Sequence, residues 1–192
     1  MILKLSTPPV IEPVLESEIR DHLRVSDDAM IQHYLKAARQ YVETLCGPLI
    51  TQTWIQYEDS WPDSGVLNIG KPRLQTVSHL KYTDEDGVQS TLSATTYTVQ
   101  TADEYHPSIV LKDDEEWPGD VLFNVQPIMI TFVCGYGSVI STIPEPIRLA
   151  IMLLVGNWYE NREATLVSQS GQSSIVTIPF TVDALLADYR MW

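Results

Sequence analysis

Residues 26–57 read SDDAMIQHYLKAARQYVETLCGPLITQTWIQY, and the change of period inside this stretch decides the fold. Up to Cys46, the apolar residues Met30, Ile31, Tyr34, Leu35, Ala38, Tyr41, Val42 and Leu45 recur at three- and four-residue spacing, which puts them on one side of a helix. Ser26 is placed to cap that helix, Asp27 and Asp28 suit the positive end of its dipole, and Gly47 with Pro48 stops it. From Leu49 onward the residues are β-branched and aromatic, and the pattern is that of a strand. A long helix that hands over directly to β-structure predicts an α+β chain.

Working outward, Leu15, Ile19 and Leu23 predict a shorter helix ending near Val25, while Pro8, Pro9 and Pro13 predict an extended arm over residues 1–14. Downstream, a β-layer spans about residues 49–139. Its expected strands are Thr51–Tyr57, Leu67–Ile69, Val77–Tyr82, Val88–Leu92, Tyr97–Gln100, Ser108–Leu111 and Ile128–Cys134, and Asp84-Glu85-Asp86-Gly87 has the composition of a hairpin turn. Gly135 and Gly137 end the last strand, and Pro144 or Pro146 begins a third helix with Ile147, Ala150, Ile151, Leu154, Val155, Trp158 and Tyr159 on one face, continuing to about Glu163. The expected fold is α+β: a helical bundle of two N-terminal helices and one long C-terminal helix, an inserted, mainly antiparallel β-layer, and an extended C-terminal tail. Residues 1–163 make one domain, with helices at about 15–46 and 144–163, and residues 164–192 form the tail.

The chain has 192 residues, with 12 Lys and Arg against 25 Asp and Glu, a formal charge of −13. Adhesion to free nucleic acid depends on Lys and Arg displacing counterions from phosphates, so this balance argues against it. Cys46 and Cys134 lie far apart and belong to no Cys/His pair, and they read as reduced thiols, with a disulfide between them left open. Met1 to Val10 lack a basic region followed by an apolar core, and Ala150 to Gly156 are too few to cross a bilayer, where about 20 residues are needed. The expectation is a soluble chain of the cytoplasm with no membrane contact.

Catalysis needs a nucleophile with its base, paired carboxylates or a metal cluster, and no such motif is present. His22, His33, His79 and His106 sit on separate expected elements without ligand spacing, and the Asp84–Gly87 run lacks the alternating oxygens of a calcium loop. Asp113-Asp114-Glu115-Glu116 reads as a solvated acidic loop, with a basic partner surface as the alternative. No catalytic residue, metal ligand or cofactor site is expected.

The tail is less bland. Ser168 to Ser174 are polar and have little to bury, so the segment is expected to be flexible alone, whereas Ile175-Val176-Thr177-Ile178 is β-prone and Thr181 can cap a final helical turn carrying Val182, Leu185, Leu186 and Tyr189. Ile175, Val176, Ile178, Phe180, Leu185, Leu186 and Tyr189 are therefore the expected partner-binding residues. The alternative is a strand and helix folded back on their own domain.

Taken in order, several segments of the chain resemble the head-tail connector (adaptor) family of tailed bacteriophages and gene transfer agents. They are Glu18 to Val25 followed by an acidic cap, Ala37 to Glu43, Leu49 to Trp54, Pro72 to Val77, Tyr82 to Gly87, Gly135-Tyr136-Gly137 before Ile143 to Arg148, Asn157 to Glu163, and Ile178-Pro179-Phe180 with Asp183 to Arg190. Thr181 stands where the family often has glycine, and Met191-Trp192 extend beyond its usual arginine ending, here Arg190, which joins the expected partner-binding set. The resemblance implies a non-enzymatic virion protein in the neck of the particle, assembled in the host cytoplasm as a homo-oligomeric ring beneath the portal. Its partners would be the portal protein, neighbouring copies and the next tail-side neck or stopper protein, with DNA as transient cargo in the channel. A non-ring assembly or chaperone module binding another virion protein is the alternative. An acidic lumen that phosphate does not adhere to would suit such a channel, and acidity also simply keeps proteins soluble.

Overall fold

The computed structural model describes all residues except Asp27, Asp120, residues 162–164, 168–172, 176–179 and Trp192. The chain forms two units: Met1–Val10 with Ile50–Gly137, and Ile11–Leu49 with Ser138–Trp192.

The first unit is β-structure throughout: β1 (Ile2–Thr7), β2 (Gln52–Glu58), β3 (Val66–Asn68), β4 (Leu74–Thr83), β5 (Gln89–Thr91), β6 (Tyr97–Gln100), β7 (Ser108–Leu111) and β8 (Ile128–Cys134). One antiparallel sheet has the order β1-β2-β8-β4-β5 and a second has β3-β7-β6. β8 is central because its alternation is clean: Ile128, Ile130, Phe132 and Cys134 are buried, and the residues between them are half-buried. They share one core with Leu80 of β4 and with Leu67, Tyr97 and Ile109 of the second sheet, so the two sheets bury a common apolar layer. Gln56, fully buried on β2, is satisfied by donating to Asn68 O at 2.8 Å and Glu58 Oε1 at 2.7 Å and by accepting from Gly70 N at 2.9 Å. A buried amide is tolerated only when its hydrogen bonds are made in this way.

All seven expected strands are present, those at Tyr97, Ser108 and Ile128 with unchanged bounds. β1 was not among them. Residues 2–7 are extended as expected of the arm, but they pair with β2, Leu3 opposite Gln56 and Lys4 opposite Ile55, since Pro8 and Pro9 fall beyond the last paired residue. At the β4–β5 turn, Asp84 Oδ1 accepts from Asp86 N and Val88 N, and Gly87 takes φ +80°.

The second unit holds α1 (Glu16–Leu23), α2 (Met30–Cys46), α3 (Glu145–Glu160), a short pair β9 (Thr165–Val167) and β10 (Ser173–Ile175), α4 (Phe180–Leu186), and single 3-10 turns at Ile140–Thr142 and Ala187–Tyr189. α3 packs against α1, α2 and α4. Its stripe of Ile147, Ala150, Ile151, Leu154 and Val155 is fully buried and faces Ile31, Leu35, Ala38, Val42 and Cys46 of α2. Met30 and Tyr34, expected in that stripe, lie beside it: Met30 is 43% exposed, and the buried row starts one residue later. Trp158 and Tyr159 border the core, each edge-on at 6.4 Å to a ring of α2, Tyr41 and Tyr34 respectively. Ser26 does not cap α2. The helix starts four residues after Ser26, its N-cap position falls to Ala29, and just ahead of that Asp28 Oδ1 accepts from Met30 N at 2.8 Å.

Ion pairs tie these helices at their margins. Arg39 donates to Glu12 at 2.8 Å and to Glu43 at 2.7 Å, and Arg148 on α3 donates to Glu18 at 2.6 Å. Glu18 also accepts from Leu15 N at 2.8 Å, and that backbone bond, together with Arg148, holds its carboxyl below the usual range. A lowered carboxyl adds stability above its unfolded value and forfeits it as pH falls through the folded one, so Glu18→Gln should flatten the acid limb of the stability curve.

The tail departs from the extended form expected for it. Residues 165–167 and 173–175 pair antiparallel, which places Ser173 and Ser174, expected in the flexible stretch, in a strand. α4 folds onto α3 and buries Val182 and Leu186. Cys46 and Cys134 are both fully buried.

Leu154→Ala should cost about 2–5 kcal/mol in a denaturant titration, the usual range for truncating a buried leucine, whereas Met30→Ala should stay within about 0.5 kcal/mol. Comparable losses at both positions would contradict the packing of α2 against α3.

Candidate functional site

Among the described residues, no group of three or more His, Cys, Asp or Glu is arranged to hold a metal ion. His22, His33, His79 and His106 are all exposed, and His106 pairs with Asp103 at 3.2 Å. In the first unit, a shallow cleft of about 280 Å³ is lined by Arg73, Gln75, Glu104, Gly135 and Tyr136 among others. The Arg73 side chain is almost wholly buried, donates through Nε to Glu104 at 2.9 Å, and lies over the Tyr136 ring at 4.1 Å. Its own backbone has φ +56° and is clamped from both sides: Arg73 N donates to Glu104 O at 2.7 Å, and Gly135 N donates to Arg73 O at 3.0 Å. Burial pushes the Tyr136 hydroxyl far above its ordinary value.

This arrangement closes a structure and leaves nothing poised to react. The cation is held by its carboxylate, the phenol stays protonated, and Gln75 is spent on Gly135 O at 2.8 Å. Gly135 is required for space as well as conformation: it takes φ +126°, and a Cβ there would stand 2.6 Å from Ile50 O. The Gly135-Tyr136-Gly137 segment therefore ends β8 by packing against the turn into β2. Local pattern gives Pro72–Val77 only as one of the segments that carry the family resemblance. It missed the Arg73 pair because Glu104 lies 31 residues away in an unremarkable loop.

The expected partner-binding residues are distributed unevenly. Phe180, the first residue of α4, is 86% exposed, while Leu185, Tyr189 and Arg190 are half-buried and Leu186 is fully buried in its own unit. Arg190 donates to Asp183 at 2.6 Å, and Met191 N donates to Leu45 O at 3.1 Å, so the end of the chain is fastened to α2. Ile175 closes β10, opposite Thr165. Val176 and Ile178 lie outside the described residues.

Residues 18–192 match the family model described as head completion protein. The chain belongs to the head completion protein family. It is thus a structural virion protein of the head-tail connector class and not an enzyme. Among curated proteins none matches. Three solved structures have the same fold along nearly the whole length, each covering 99% of this chain and 95% of its own. The neck of an empty gene transfer agent particle computed with C6 symmetry is 24% identical with a TM-score of 0.79. The neck of the native particle computed with C12 symmetry is 25% identical with a TM-score of 0.78, and the native virion is 22% identical with a TM-score of 0.77. A head completion protein needs contact surfaces in place of a reaction centre, and the geometry above fits that need: polar interior groups are consumed in bracing, and exposed apolar side chains stand on braced elements.

Gly135→Ala should destabilise the chain by about 1–3 kcal/mol, the cost of forcing a side chain into a disallowed conformation against backbone. A melting temperature equal to that of the parent would show that the β8 end is not packed as described.

Proposed function

We propose that this chain forms a ring beneath the portal, joining head to tail and continuing the DNA channel. The observation that carries the reading is the family match over residues 18–192, supported by likeness along the whole chain to neck structures computed with C6 and C12 symmetry. In this reading the helices act as one bundle with the β-layer inserted between its long members. Neighbouring copies, the portal and the next tail-side neck or stopper protein are the partners, and DNA passes as cargo. The formal charge of −13 suits a wall along which phosphate slides.

The tail is the proposed grip on the portal or on a neighbouring copy. Phe180 is its most open described large apolar residue, and Ile175, Val176 and Ile178 precede it on the β-prone stretch. Leu185, Tyr189 and Arg190 extend the surface, with Leu186 supporting it from beneath. Many identical tails engage together in a ring, so a modest affinity for each gives a long-lived joint.

Deleting the tail would remove Val182 and Leu186 from the core of their own unit, so substitution is the cleaner test. Phe180→Ser should leave the melting temperature of the purified chain near the parent's and abolish its retention on portal-bearing heads, scored by immunoblot and electron microscopy. Retention at parental levels would refute the grip. Absence of rotationally symmetric density for this chain in parental particles would refute the ring itself.

A further inference from the structure

The end of the first unit that carries the β4–β5 turn exposes four large apolar side chains, Val88, Val121, Phe123 and Val125, by 59, 64, 46 and 63%. They are held in place. Glu85 N donates to Val121 O at 2.9 Å, Phe123 N donates to Thr83 O at 3.0 Å, and Asp84 and Leu122 form an antiparallel bridge between them. Residues 121–123 therefore lie as a short ribbon along the end of β4. Leu122 turns to the core, and alternation puts Val121 and Phe123 on the opposite side. The loop that leads into the ribbon is anchored by Trp117, whose ring stacks on Trp61 at 4.8 Å and 5°, with Trp61 in turn edge-on to Tyr82 of β4.

An exposed aromatic on a braced ribbon suits a contact surface, because little conformational freedom is lost when a partner covers it. Charge decides the occupant. The turn beside the ribbon bears Asp84, Glu85 and Asp86, and the loop leading into it opens with the exposed run Asp113 to Glu116. The nearby cations are engaged locally, Lys81 with Gln89 and Lys112 with Thr95 O. A second copy set face to face on this end would present the same carboxylates and be repelled. We infer that this ribbon docks a different protein through a segment whose apolar side chains are flanked by lysine or arginine. Val121 and Phe123 receive the apolar anchors, and the two acidic loops receive the cations.

The test is calorimetric titration of the full chain with two synthetic peptides of identical phenylalanine and valine content, one interleaved with lysine and the other with glutamate. The lysine peptide should bind at least about tenfold more tightly, a difference of about 1.4 kcal/mol. The double variant Val121→Ser, Phe123→Ser keeps every charge and should lose at least about tenfold for the lysine peptide, while Val10→Ser, at a residue 92% exposed, should bind as the parent does. Glu85→Gln with Asp86→Asn should weaken the same peptide and leave the fold intact by circular dichroism, a check that does not depend on the serine variant folding. Parental binding by the serine variant would reduce the effect to attraction between an acidic protein and a polycation and overturn the site. Equal binding of the glutamate peptide would overturn the choice of partner. Self-association in the ultracentrifuge that vanishes in the serine variant would also overturn it, by giving the surface to a second copy.

Discussion

The helical unit depends on the burial of α3. Its five fully buried side chains form one stripe that faces α2, and α1 and α4 pack against the same helix. Burying an aliphatic side chain is worth roughly 1.5–3 kcal/mol, which makes this stripe the main source of cohesion there. The surrounding ion pairs are secondary. Arg148 of α3 reaches Glu18 of α1 at the margin of the apolar contact, whereas Arg39 pairs with Glu43 on its own helix and with Glu12 ahead of α1.

The same demand accounts for the end of the chain. A helix as apolar as α3 draws α4 onto its remaining side, and Val182 and Leu186 become core residues in place of free docking groups. Phe180 falls at the first position of α4 and escapes this, remaining open to solvent. One short segment thus completes the unit with its inner side and leaves Phe180 open on its outer side.

In the β unit the corresponding constraint is the position of β8, paired on both edges and alternating buried with half-buried residues along its whole length. The chain must close that strand tightly at Gly135, and Arg73, Glu104 and Gln75 are used in making that closure. For a head completion protein this is a sensible allocation: rigidity inside, and contact surfaces such as the Val121–Phe123 ribbon outside, where a partner of opposite charge can reach them.

Local pattern alone determined much of this. The 3.6-residue period of α2 and α3, the seven strands of the insertion, the turn at Asp84–Gly87 and the family resemblance of the ordered segments could all be read without coordinates, because each is encoded by neighbours within a few residues. Other features exist only once distant segments meet. β1 is a strand because β2 offers it an edge, and a pattern of six residues before two prolines does not announce that partner. Arg73 is buried because Glu104 and Tyr136 come to it from elsewhere in the chain, and Leu186 is buried because α3 has a side still uncovered. Periodicity tells which residues seek cover. Only the tertiary structure decides what covers them, since burial and ion pairing are properties of contacts between segments and no local spacing carries that information.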